Sequence, residues 1–486
     1  MTRNQDSFPI NSEMAYNQKD YLSERMAMKN EKITTAITYF YKIYDDQFEK
    51  FQEFLRIPSV STAEKHKEDV IKAADFLVDQ LQQLGFQNVK AYPTKRHPIV
   101  FGEYLVSTEK PTLLIYGHYD VQPPDPITQW ESPPFEPQIR GDHMYARGVS
   151  DNKGQIWATI SALRSVIQTA ELPINIKILY EGEEEIGSPS LNEFLTSHQS
   201  MLACDCVLNP DAGMLAPNKP TVTYALRGMA YFELQISGPK ADLHSGIFGG
   251  VIANPANILC ELIAKMHDEE GHITLPGFYS DVRLISDSEK SDLEKLGLDE
   301  QFYKNNTGVS ALKGESGYTP VEQVTTRPTL DVNGLYAGYI QEGAKTIIPS
   351  YAMAKISTRL VPDQDPVAIY QSLLKFLEEN VPDAVTWTLK NLSGAPAYLS
   401  EPKGPWFESY LAALKQTWGG EPMKKRDGGS IPVATAMKQI LGVDSILTGF
   451  GLPDDQIHSP NERLHLPTHK KGVEALIRFF LSAENV

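Results

Sequence analysis

Short apolar runs separated by stretches of helical spacing constrain this chain more than any other feature. Leu113-Leu114-Ile115-Tyr116, Ile174 to Tyr180, Cys206-Val207-Leu208 and Ile446-Leu447 have the length and residue types of buried strands. Helical patterns fall between them: Phe76, Leu77, Leu81 and Leu84 ahead of a capping Gly85, then Ile156, Ile160, Leu163 and Ile167. This alternation predicts an α/β fold, a mainly parallel sheet with helices on both faces.

A second pattern begins at Arg227-Gly228. Met229 to Ile236 is strand-like and Pro255 to Met266 helical; Thr329 to Val332 and Ile347 to Leu360 are strand-like. Val367 to Leu377 is then helical and Val385 to Leu389 strand-like. That βαββαβ order predicts a compact α+β module, interrupted by a polar, acidic stretch between His267 and Arg327. After about Leu392 the first pattern resumes. A chain of 486 residues exceeds one ordinary core. It is expected to divide into a mobile or loosely docked arm over 1–32, a main domain in two parts over 33–226 and 392–486, and an inserted domain over 227–391.

The balance of charge narrows the partners. With 45 Lys and Arg against 62 Asp and Glu, the net charge is −17. Phosphate backbones and anionic membrane surfaces call for concentrated basic side chains, so neither nucleic acid nor membrane is expected. Three cysteines do not make a disulfide framework in a chain of this size, and Cys206 continues into an apolar run as a buried strand thiol would. No apolar stretch approaches a membrane span, and the polar start lacks the apolar core of a leader, so a cytoplasmic protein is expected.

Metal-ligating residue types recur just past the apolar runs. His118 and Asp120 follow the first, Asp151 precedes a helix, Glu183 to Glu185 close a strand, Asp211 closes another, and His458 lies in a loop after Ile446-Leu447. Singly each is commonplace: a structural histidine, a helix cap, a solvated acidic run, a turn aspartate. Their shared position is not, because ligands of open α/β sheets bind where the carboxyl ends of strands converge. Two imidazoles among several carboxylates make a nitrogen and oxygen donor set suited to Zn²⁺ or Mn²⁺. Without cations such acids would repel one another.

At these residues the chain resembles the co-catalytic metallopeptidase family that includes carnosinase and cytosolic non-specific dipeptidase, with aminoacylase, succinyl-diaminopimelate desuccinylase and a glutamate carboxypeptidase as more distant members. The resemblance runs from about Tyr44 to the C-terminus. It is carried by Gly117-His118-Tyr119-Asp120-Val121-Gln122-Pro123, Arg147-Gly148-Val149-Ser150-Asp151-Asn152-Lys153-Gly154, Asp242-Leu243-His244-Ser245-Gly246 and Gly429-Ser430-Ile431-Pro432, which look like the dipeptidase branch. One departure is Asn209-Pro210-Asp211-Ala212-Gly213, where animal dipeptidases commonly have Ser-Asp-Asn or Ser-Asp-Thr.

The resemblance implies a zinc-peptidase catalytic domain with a ferredoxin-like lid and dimerisation insert, and two divalent cations per subunit. His118 and Asp211 would hold one cation, Glu185 and His458 the other, and Asp151 both, with a cis Asp151–Asn152 peptide. Glu184 would be the general base and Asp120 the residue orienting His118. His244 would act in the partner subunit of a homodimer, Arg359 would bind the substrate's terminal carboxylate, and Thr346, Ser430 and Asn333 would contact substrate. The implied activity is hydrolysis of the amide bond of dipeptides, by water activated between the metals. N-acyl or N-succinyl amino acids are the alternative substrates.

Overall fold

The alternation of apolar residues sorts face by face in the computed structural model, which describes residues 12–429 and 431–483. In the strand Thr112–His118, Leu113 and Ile115 join one buried cluster, while Leu114 and Tyr116 join another on the opposite face. The strand Asn175–Glu181 divides likewise, with Ile176, Ile178 and Tyr180 on the first side and Leu179 on the second. A period of two with both sides buried is what a sheet between helical layers requires. The first layer includes Tyr44–Leu55, Lys67–Gln83, Lys153–Thr169, Pro405–Trp418 and Leu466–Ser482; the second includes Leu191–Ser197 and Pro432–Leu441.

Nine strands form this sheet among the described residues. Four neighbours at its centre, in the order Asn175–Glu181, Thr112–His118, Cys206–Asn209 and Ser445–Leu447, run parallel. The flanks depart from the expected direction. Gln87–Tyr92 and Ile99–Tyr104 are antiparallel on one side, as the short connection between them dictates. Thr221–Leu226 is antiparallel to Ser445–Leu447 and to Tyr398–Leu399 on the other, with Met423–Asp427 parallel beside it. The sheet is therefore mixed, with a parallel centre and a further parallel pair at one flank.

The inserted module has a core of its own. Its strands lie in the order Thr329–Ala337, Tyr351–Leu360, Gly228–Ser237 and Thr386–Ala395, all antiparallel, with helices Pro255–Lys265 and Pro366–Asn380 packed on one face. The run expected to be continuous from Ile347 breaks at Pro349, which has no N–H to give a ladder. Ile347–Ile348 pairs instead with Leu243–His244. The acidic stretch forms three short helices, and Glu289 in one of them accepts hydrogen bonds from Arg426 (2.7 Å) and Tyr224 (2.6 Å) of the main sheet. Entry and exit of the module lie side by side. Leu226 pairs with Tyr398, and a Cβ on Gly228 would sit 2.5 Å from the carbonyl oxygen of Ala395.

At the other end of the chain, the helix Ser12–Lys42 runs through the boundary expected at 32. Ile33, Ala36 and Phe40 bury one stripe of it against the core, three and four residues apart. Residues 1–11 of the expected arm lie outside the described residues.

Candidate functional site

The four central parallel strands end on the same rim, and each delivers acidic or imidazole side chains there. Thr112–His118 ends on His118, which is fully buried. Asn175–Glu181 leads into the short turn holding Glu184 and Glu185. Cys206–Asn209 leads to Asp211, and Ser445–Leu447 into the loop bearing His458. Asp151 comes from the loop ahead of the helix Lys153–Thr169, and its peptide bond to Asn152 is cis.

Asp151 stands between the two imidazoles. Its Oδ1 lies 3.1 Å from His118 Nε2 and its Oδ2 lies 2.9 Å from His458 Nε2. His118 Nε2 also faces Asp211 Oδ1 at 3.4 Å, and His458 Nε2 faces Glu185 Oε2 at 3.4 Å. His118, Asp151 and Glu185 each offer a ligating atom within 4.8 Å of the others, a candidate metal-binding cluster. Asp120 lies beneath: its carboxylate accepts from the backbone N–H groups of Glu184 (3.2 Å) and Glu185 (3.0 Å), and one oxygen lies 3.5 Å from His118 Nδ1. Two supports were not singled out from sequence. Asn152 donates to Asp211 at 2.9 Å and Gln122 to Glu185 at 2.7 Å.

The electrostatics of the cluster call for positive charge. Burial, with the carboxylates around it, pushes Glu184 up to about 8, and burial and Asp151 do the same to Glu185. Burial also raises Asp211. Asp151 moves the other way: burial opposes its ionisation, but hydrogen bonds from His118 and His458 hold it well below the carboxylate range. The hydrogen bond to Asp151 in turn lifts His458 to about 9. Ring nitrogens and carboxylate oxygens at these separations attract only with a proton or a cation between their lone pairs. Two imidazoles and several acids at this spacing therefore fit a pair of divalent cations.

A cleft of about 320 Å³ opens over the cluster, lined by Asp151, Glu184, Asp211 and His458, and also by Asp427 and Ile431. His244, Thr346, Asn333 and Arg359 do not line it. His244 is exposed, its Nδ1 accepting from the Gly246 N–H at 3.0 Å, and the Thr346 carbonyl accepts from the Ser245 N–H at 3.2 Å. Asn333 is exposed on the edge strand Thr329–Ala337, and Arg359 is half-buried on Tyr351–Leu360. Ser430 lies outside the described residues.

The model for peptidase family M20/M25/M40 matches residues 114–482, which takes in every cluster residue above. The chain belongs to this peptidase family. Its relatives within M20/M25/M40 include the Cys-Gly metallodipeptidase DUG1 of Candida albicans, 31% identical over 88% of this chain and 92% of that one. The human Beta-Ala-His dipeptidase is 29% identical over 90% of each. Among solved structures, the M20 family metallo-carboxypeptidase Sso-CP2 from Sulfolobus solfataricus superposes with a TM-score of 0.81 at 31% identity, over 90% of this chain and 99% of that one. The mixed sheet and inserted module are thus the architecture of an M20 peptidase.

Proposed function

We propose that this peptidase hydrolyses the amide bond of dipeptides with two divalent cations, Zn²⁺ or Mn²⁺, held at the rim of the central sheet. The observation that carries the reading is Asp151, one oxygen toward each imidazole, with Glu184 beside it in the cleft. His118 and Asp211 hold one cation, Glu185 and His458 the other, and Asp151 both. When bound, the cations supply Lewis acidity, acidifying water and polarising the scissile carbonyl. Glu184 holds the proton taken from the attacking water and passes it to the leaving amine; a buried carboxyl with a raised pKa suits both transfers near neutral pH. Asp120 fixes Glu184 and Glu185 through their backbone N–H groups and orients the His118 ring. The choice of dipeptides is supported by the names of the curated relatives.

The insert serves as lid and dimer contact. Around His244 it exposes Ile247 (70%), Val251 (84%) and Phe248 (40%), and its edge strand exposes Leu335 (55%). Apolar side chains on an unpaired edge are what a second copy covers. In the homodimer His244 reaches the partner's cleft and steadies the developing oxyanion. Arg359 takes the terminal carboxylate of the substrate as a bidentate partner, with Thr346, Ser430 and Asn333 around the peptide. Unpaired Cys204, Cys206 and Cys260 accord with a reducing, cytoplasmic setting. No helix among the described residues is long and apolar enough to cross a membrane.

The likeness to a metallo-carboxypeptidase favours one second reading, removal of a C-terminal residue from acylated or longer substrates. One experiment separates the two: metal quantification with a panel of dipeptides, longer peptides, N-acetyl and N-succinyl amino acids, before and after chelation and add-back. We expect about two equivalents of metal and dipeptide turnover that chelation abolishes and metal restores. Turnover confined to acyl amino acids or longer peptides, or undiminished after chelation, would overturn the proposal.

A further inference from the structure

Glu462 lies four residues beyond His458 and does not line the cleft. Its side chain is 1% exposed, yet its carboxylate is surrounded by donors: Arg147 Nη1 at 2.8 Å, the Gly148 N–H at 2.8 Å, the Ser150 N–H at 2.9 Å and the Asp151 N–H at 3.1 Å. Three of the four are backbone groups, from residues 148, 150 and 151 of the loop that presents Asp151. Gly148 makes that curl possible, with φ of +81° and no room for a side chain, since a Cβ there would meet Val121 Cγ1 at 2.5 Å. Arg147, also 1% exposed, completes the arrangement. Its Nη2 donates to the carbonyls of Pro123 and Ser459, both at 3.2 Å. One ion pair thus grips the segment after His118, the loop of Asp151 and the loop of His458.

A buried ion pair adds little stability over apolar side chains of similar volume, so its value here lies in what it orients. We propose that Arg147 and Glu462 are positioning residues that set the separation of Asp151 from His118 and His458, and with it the affinity of the site for divalent cations. The inference rests on the two-cation reading of the site. Neither residue lines the cleft, so their effect reaches substrate only through the ligands. Outer partners of metal ligands elsewhere change metal affinity about 10- to 100-fold when altered.

The test titrates metal-free wild type, Glu462→Gln, Glu462→Asp and Arg147→Lys with Zn²⁺ by calorimetry, with thermal unfolding of each metal-free form alongside. Gln retains the shape of Glu462 but turns an amide N–H toward groups that are all donors. We expect Zn²⁺ affinity to fall about 10- to 100-fold in Glu462→Gln, to recover in part in Glu462→Asp, and to fall less in Arg147→Lys, which retains charge but not the fork. Wild-type affinity in a Glu462→Gln protein that merely unfolds earlier would reduce the pair to a structural one and overturn the proposal. Should Glu462→Gln fail to fold, unchanged Zn²⁺ affinity in Arg147→Lys overturns it equally. A wild type that takes up no Zn²⁺ would sink the two-cation reading itself, a result separate from any difference among the variants.

Discussion

The rim of the central sheet and the inserted module stand in contrast. At the rim, six side chains from five distant segments meet within one chain, all but His458 buried or half-buried, with the Asp120 carboxylate held by backbone donors. On the module, the residues matched to substrate handling are exposed or half-buried, and none reaches the cleft. On the proposed function, the contrast means that one chain completes the metal centre but only half of the substrate site. On the same proposal, a second copy and movement of the module supply the remainder.

The sharpest way to break that division is Glu184→Gln. It should lower kcat by about 10²- to 10⁴-fold, the usual worth of a general base, with metal content unchanged by elemental analysis; activity within tenfold of wild type would remove Glu184 from the chemistry. His244→Ala comes next, with a loss of about 10²- to 10³-fold, the cost of one oxyanion donor. Mixing and reassociating the two inactive variants should restore part of the activity, because a mixed dimer holds one cleft with both residues intact. No recovery would place the function of His244 within its own chain.

The smallest effect concerns pH and the metal-free protein. Glu184 and Glu185 have folded values of about 8 against 4.5 unfolded, and His458 about 9 against 6.5. A raised folded value contributes stability that is whole below the unfolded value and lost as pH climbs through the folded one. The thermal midpoint of the metal-free protein should therefore fall between pH 5 and 9, and added divalent metal should offset the fall. A midpoint that rises over this range would contradict the charge assignment at the rim.

The rim was legible in sequence because its residues follow apolar runs whose strand character is local. His118 and Asp211 could be placed from such runs alone. The direction of the flanking strands could not, since Ile99–Tyr104 pairs with Asn175–Glu181, far along the chain. The helix Ser12–Lys42 was hidden by its polar first half, where little periodicity shows. His244 and Arg359 are proposed only through resemblance, because an exposed loop histidine and a strand arginine carry no local signal. The Arg147–Glu462 pair spans 315 positions. Its one trace was a charge set among Ala146, Gly148 and Val149, which on burial demands a partner.

The pairing of Leu226 with Tyr398 has a consequence of its own. Two adjacent antiparallel strands need only a tight reversal to join them, and here an entire folded unit stands in for that reversal. Because its two ends already meet, such a cassette adds almost no loop-closure entropy to the fold that hosts it. The main sheet can thus carry, exchange or reshape what projects over its rim without renegotiating its own register.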